Sequence, residues 1–185
     1  MRRLSSTAAL VALLVLAAPG AGARVPMTMA INRPETAGGH YRLFLTSPAI
    51  RQGGVIPPKY ADVSPPLAWT PVPGAASYVV IVEDADAGDK KLGLPFVHWL
   101  AWNIPYNARA LPEGVSTRAG TGIVEGRNHA GKIGYFGPHP PPGPPHHYHF
   151  QLFAISNVLK LPVGASRKQL FWAIKDQVVG KGELV

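Results

Sequence analysis

The stretch Gly134–Ile155 (GYFGPHPPPGPPHHYHFQLFAI) restricts the fold more than any other part of this chain. Its first half, Gly134–Pro145, holds six prolines and three glycines. Proline fixes φ and lacks the N–H that helix interiors and central strands require. This half is therefore a stiff, extended loop. The second half, His146–Ile155, is aromatic and apolar and predicts a strand. Alternate side chains on a strand share a face. His146, Tyr148, Phe150, Leu152 and Ala154 are expected on one side, and His147, His149, Gln151 and Phe153 on the other. A rigid loop thus delivers an imidazole and a phenol, two residues apart and pointing the same way, to the start of a buried strand. A site for a small polar group can be built from such a pair, although a lone His-x-Tyr is more often a satisfied strand edge.

Other segments add strands. Ser77–Glu83 (SYVVIVE) is β-branched and continuous, the pattern of a strand covered on both faces. It runs into a loop with two carboxylates, Asp84 and Asp86. Phe96–Ile104 (FVHWLAWNI) predicts a second strand, with Phe96, His98, Leu100 and Trp102 on one face and Val97, Trp99, Ala101 and Asn103 on the other. Shorter strands are expected at Met27–Ile31 and Tyr41–Leu45. Near the C-terminus, Ser166 reads as an N-cap. Leu170, Ala173, Ile174 and Val178 then repeat at helical spacing, predicting a helix over Arg167–Val178 that Gly180 and Gly182 terminate. Several strands, long loops and one late helix indicate a mainly β fold.

The first residues are set apart. Met1–Arg2–Arg3 is basic, Leu10–Ala18 is purely apolar, and Ala21–Gly22–Ala23 fits a small-x-small cleavage pattern. Together they predict a signal peptide over residues 1–23, followed by one domain over 24–185. The apolar run is too short to span a bilayer, which takes about 20 residues, so no spanning segment is expected after leader removal. The expected location is periplasmic or secreted.

The formal charge of +8 attracts anions such as phosphate groups or acidic lipid. The cations are scattered singly, with no run beyond Lys90–Lys91, so nucleic acid is not expected as a partner. The absence of cysteine excludes disulfides, thiol catalysis and cysteine-based zinc sites.

Three pieces could carry chemistry: Asp84-x-Asp86, His98, and His146-x-Tyr148. Sequential strands neighbour each other about two-thirds of the time, which brings Asp84 and His98 near one another. SPPLAW (Ser64–Trp69), EDADA (Glu83–Ala87), VHWLAWNIP (Val97–Pro105), the Gly134–Ile155 stretch and LPVGASRKQL (Leu161–Leu170) occur in this order. Together they resemble the phosphatidylethanolamine-binding protein family, and most of all its bacterial Raf-kinase-inhibitor-like branch. The resemblance implies two packed antiparallel sheets, a β-sandwich, with peripheral helices and a C-terminal helix. It also implies a small surface pocket for phosphate-type anions or phosphorylated headgroups. The family's Asp-Pro-Asp-Ala-Pro falls on Asp84–Gly88, with Ala85 and Gly88 in place of the prolines. Its pocket histidine falls on His98. Its Gly-x-x-His-Arg-Tyr falls on Gly143–Tyr148, with His147 in place of arginine. Its loop glycine falls on Gly137.

The ligand-binding set expected from this resemblance is Asp84, Asp86, His98, Gly137, His146 and Tyr148. The imidazoles, the phenol and backbone N–H groups would donate to an anion. An aspartate would orient a histidine or pair with a headgroup ammonium. Neither a catalytic residue nor a cofactor is expected, and the function implied is binding, by an exported protein, of a phosphate-containing small molecule or phospholipid headgroup. Two other readings stand beside it. One is an inhibitor or regulatory module with a protein partner. The other is a histidine-metal β-fold enzyme built on His147-x-His149, for which the matching acid near Phe153 is missing, so no metal is expected.

Overall fold

The run SYVVIVE forms the middle of the larger of two sheets in a computed structural model that describes residues 27–117 and 120–185. The expected leader and its cleavage point lie outside those residues. In chain order the strands are β1 (Tyr41–Arg42), β2 (Leu45–Thr46), β3 (Leu67–Trp69), β4 (Ser77–Asp89), β5 (Leu94–Pro105), β6 (Ala110–Leu111), β7 (Val124–Glu125), β8 (Tyr148–Ile155) and β9 (Val178–Leu184). Helix α1 (Arg167–Ile174) precedes β9. The larger sheet has the order β1-β9-β8-β4-β5-β7, and the smaller has β2-β3-β6. All pairs are antiparallel except β1 with β9, which run parallel, so the expectation of purely antiparallel sheets is corrected at that edge. The expected peripheral helices, apart from α1, are single turns of 3-10 helix.

Alternation on β4 explains its unbroken hydrophobicity. Tyr78, Val80 and Val82 join a core that also takes Leu45, Leu67, Trp69 and Leu111 from the smaller sheet. Val79 and Ile81 face the other way, into a core closed by Leu170, Phe171 and Ile174 of α1. Both faces of the strand are therefore dry, as the sequence pattern predicted.

β5 departs from simple alternation. Val82 pairs with Trp99, but Glu83 pairs with Val97, so His98 is one extra residue opposite a single step of β4. This bulge keeps the expected faces of Leu100 with Trp102 and of Trp99 with Ala101, but moves Val97 and His98 to the sides opposite those expected. Val97, Leu100 and Trp102 lie in the α1 core, whereas Trp99 and Ala101 lie between the sheets. His98 leaves the α1 side and packs edge-on against Tyr148, ring centroids 5.1 Å apart. Bulges commonly re-aim a side chain beside a site.

The C-terminus differs from its sequence reading for a steric reason. α1 starts at the expected cap, where Ser166 and Gln169 form a reciprocal capping box. It stops at Ile174, and Asp176 turns the chain with φ of 62°. Val178–Leu184 is then a strand, not the end of a helix. Gly180 and Gly182 are strand residues there. A Cβ on Gly182 would collide with the Leu43 carbonyl, and one on Gly180 with Val72. They permit close backbone approach rather than terminating a helix. Upstream, Ala30–Asn32 forms a 3-10 turn where a strand was expected. Tyr41–Leu45 is divided between the two sheets, the chain crossing from β9 to β3.

The N-terminal turn is held by a buried ion pair. Glu83 is fully buried. Its Oε2 accepts the Ala30 N–H at 2.7 Å and the Gln151 side-chain amide at 2.9 Å, and its Oε1 accepts from Arg167 Nε. Gln151 Oε1 accepts the Ile31 N–H at 2.6 Å, and Arg167 also donates to the Thr28 carbonyl at 3.2 Å. Every polar atom of the carboxylate is thereby satisfied, as a buried charge requires.

Candidate functional site

Asp84 lies within β4, not in the loop expected there, because the strand continues through a register shift to Asp89; it is opposite Phe96 of β5 and Tyr148, the first residue of β8. Its Oδ1 accepts the backbone N–H groups of Asp86 at 2.7 Å and Ala87 at 3.1 Å, within the stretch of β4 where its register against β5 shifts. Its Oδ2 lies 2.7 Å from His146 Nδ1 and 4.0 Å from His98 Nε2. The Tyr148 ring packs edge-on against His98 and stacks on His146, which sets its phenol within the field of the same carboxylate. Burial, and secondarily the Asp84 charge, push the phenol pKa well above its ordinary value. Tyr148 is consequently a protonated donor at any physiological pH.

The tautomer of His98 follows from its partner. Nδ1 contacts the Phe136 carbonyl at 2.5 Å, and a carbonyl only accepts, so Nδ1 carries the proton. Burial lowers the pKa of this ring, opposed by the Phe136 carbonyl and Asp84. In the neutral ring Nε2 is therefore a lone pair turned toward Asp84. The same logic puts the shared proton of His146 on Nδ1 when Asp84 is ionised, leaving Nε2 for another partner.

These groups line a cavity of about 100 Å³ together with Ala87, Phe96, Phe136, His139, Pro140 and Pro141. Phe136 lies between two imidazoles, stacked on His98 at 5.9 Å and on His139 at 4.9 Å. The fold thus gathers four of the six expected residues, Asp84, His98, His146 and Tyr148. Asp86 is not among the lining residues. Its Oδ2 accepts both the backbone N–H and Nδ1 of His147, each at 2.7 Å. Gly137 donates its N–H to the Ala61 carbonyl at 3.1 Å. Its role in shaping the site is steric: a Cβ there would overlap the carbonyls of Tyr60 and Ala61. Gly137→Ala is expected to cost about 1–3 kcal/mol through overpacking. A urea titration should show a lower midpoint at unchanged slope; an unshifted midpoint would mean the loop moves aside freely.

Sequence reasoning missed the aromatic wall of Phe96, Phe136 and the His139 ring. Phe96 was signalled by its alternation with His98. Nothing in the order of the loop residues announces that Phe136 and His139 stack. The pair His147 and His149 does not converge. His147 binds Asp86, and His149 Nδ1 lies 2.8 Å from Glu183. Among the described residues no group of three or more His, Cys, Asp or Glu is placed to hold a metal.

Two sheets sharing one core, with an Asp–His–Tyr pocket drawn from β4, β5 and the start of β8, define a recognisable class. The family model for phosphatidylethanolamine-binding proteins matches residues 46–185, and the chain belongs to that family. Among its relatives, UPF0098 protein PH1269 of Pyrococcus horikoshii is 43% identical over 140 residues, covering 70% of this chain and 68% of the relative. A UPF0098 protein of Methanothermobacter thermautotrophicus is 38% identical over 148 residues, covering 76% and 95%. LppC of Mycobacterium tuberculosis, a lipoprotein candidate, is 33% identical over 166 residues, covering 87% and 79%. Of the solved structures, YbcL of Escherichia coli, described as a member of the mammalian family, superposes with a TM-score of 0.70 at 29% identity. It covers 78% of this chain and 96% of its own. CT736 of Chlamydia trachomatis, a family homologue, gives 0.69 at 36% identity, covering 77% and 94%.

Proposed function

We propose that the protein is an exported, non-enzymatic binding protein whose Asp84 pocket takes a phosphate-type anion or a phosphorylated headgroup. The observation that carries this reading is the convergence of His98, His146 and Tyr148 on one buried carboxylate at the mouth of a small cavity. Asp84 holds His146 with its Nδ1 committed, so Nε2 is the atom that can donate to an anion once the ring is protonated. Tyr148 adds a neutral O–H. The cavity has room for a phosphate-sized group and little more. Binding rather than catalysis is favoured because no serine, threonine or cysteine lines the cavity, and the one phenol there is kept protonated. Export rests on the leader pattern of residues 1–23.

The test is titration calorimetry of the purified protein with phosphoethanolamine, together with mass spectrometry of what co-purifies. Binding should be saturable with one site. It should survive His147→Ala, because His147 is turned to Asp86 and away from the cavity. Absence of saturable binding, or equal loss in the His147 variant, would remove this reading.

A further inference from the structure

A second concavity, of about 600 Å³, lies beside the start of α1 and shares no lining residue with the Asp84 pocket. That volume falls in the range of small-molecule sites. Its apolar lining is Leu94, Phe171 and Trp172, and Trp172 is 63% exposed. Large exposed aromatic surface next to a cavity marks a contact region rather than core. The polar lining is one-sided in charge. Arg33 is closed by Glu35 at 3.3 Å, and Arg167 by Glu83. Arg127 and Lys168 take part in none of the ion pairs among the described residues. Arg127 spends Nη1 on the Gly131 carbonyl at 2.7 Å, which leaves the rest of its guanidinium fork.

His129 contributes a neutral donor. Its Nδ1 accepts the Val97 backbone N–H at 3.1 Å. A backbone N–H can only donate, so the ring proton resides on Nε2. Partial burial, reinforced by Arg167, holds this ring below the ordinary histidine pKa, in line with an Nδ1 that accepts. The first turn of α1 contains no acidic residue to offset the positive end of its dipole. Donors and cations thus border an apolar floor with no free acceptor among the lining carboxylates.

We propose that this groove binds a small carboxylate with a flat apolar body. The carboxylate lies at Arg127, His129 Nε2 and Lys168, and the body lies on Trp172 and Leu94, since the Phe171 ring is buried beneath Arg33 and Arg167. A guanidinium fork matches a planar carboxylate in shape as well as charge, and an indole face accepts a flat apolar body by offset stacking. A second copy of this chain, at a net charge of +8, is not electrostatically complementary to the same surface. Nor is its own leader, which begins Met1–Arg2–Arg3.

The probe is 2-naphthoate, titrated by calorimetry into the purified protein, with uncharged 2-naphthalenemethanol as its control. Naphthoate should bind saturably, and the alcohol about 10- to 100-fold more weakly, the value of a hydrogen-bonded charge. Trp172→Ala and Arg127→Gln, both at the surface, should each weaken naphthoate by about tenfold. His98→Gln, in the other pocket, should leave it unchanged. Equal binding of acid and alcohol, no saturable binding, or an unaffected Trp172→Ala protein overturns the proposal. So does displacement by inorganic phosphate, which would move the ligand to the Asp84 pocket. Displacement by an acidic peptide without aromatic residues would make the groove a polypeptide site and likewise overturn it.

Discussion

Arg167→Met is expected to destabilise the protein by about 3–5 kcal/mol, the cost of stranding a buried charge. Glu83 is fully buried, and Arg167 is its one cationic partner among the described ion pairs. Methionine keeps much of the side-chain volume but supplies neither charge nor donor. Glu83 would then be left with the Ala30 N–H and the Gln151 amide. The loss should be largely reversed in the double variant Glu83→Gln/Arg167→Met, because the uncompensated carboxylate is gone. Urea unfolding measures both. Hydrogen exchange should also show the amides of Ala30 and Ile31 opening in the single variant, since they anchor the N-terminal turn to this network. A change below about 1 kcal/mol, typical of exposed pairs, would mean that water reaches Glu83.

The second large effect is on anion affinity. Sulfate is the informative probe because, unlike a phosphomonoester, it keeps its charge across the neutral range. Its affinity should rise by about 10- to 100-fold from pH 7.5 to 5.5, the span allowed by one proton taken up over up to two pH units. The sign follows from His98. Burial holds its folded pKa below the ordinary 6.5. Above that depressed value Nε2 is a lone pair and repels an anion. Below it, Nε2–H can donate and the ring is cationic. Anion binding and protonation therefore favour each other, and binding weakens as pH rises. The other titratable groups around the cavity are Asp84, His139, His146 and Tyr148. Tyr148 stays protonated throughout, its pKa lying above its ordinary value. In His98→Gln the amide can still donate to the Phe136 carbonyl, so the loop keeps its tie while the titration disappears. The pH slope should become shallower in this variant. Wild-type affinity independent of pH would remove the histidines from anion binding.

Much of the architecture was legible locally. The continuous β-branching of Ser77–Glu83 has only one economical solution, a strand covered on both sides. The proline run excludes helix and ladder, so it had to be loop, and the alternation after it placed His146 and Tyr148 on one face. Ser166, read as an N-cap, announced the start of α1. The motif order was enough to indicate the family.

Other features depend on neighbours that the local pattern does not contain. Val178 looked like a helix end, with Gly180 and Gly182 closing it, because glycines punctuate helices as readily as they admit a crossing backbone. Leu43 and Val72, distant in sequence, select the second use. The bulge at His98 is a mismatch between two strands, invisible in either alone, yet it turns the imidazole toward Tyr148. The network around Glu83 joins Ala30, Gln151 and Arg167, residues that no spacing rule relates.

The chain by itself determined the central strands around Ser77–Glu83, Phe96–Ile104 and Tyr148–Ile155, the proline loop and the helix start at Ser166, because φ restriction, β-branching and capping act within a few residues. It also supplied Asp84, His98, His146 and Tyr148 as candidates. Only the tertiary structure decided that Asp84 lies between His98 and His146, that Asp86 is diverted to His147, and that Gly137 spends its N–H on the Ala61 carbonyl rather than on the pocket. Those outcomes depend on hydrogen bonds and excluded volume between segments far apart in the chain, and a linear pattern does not encode distance.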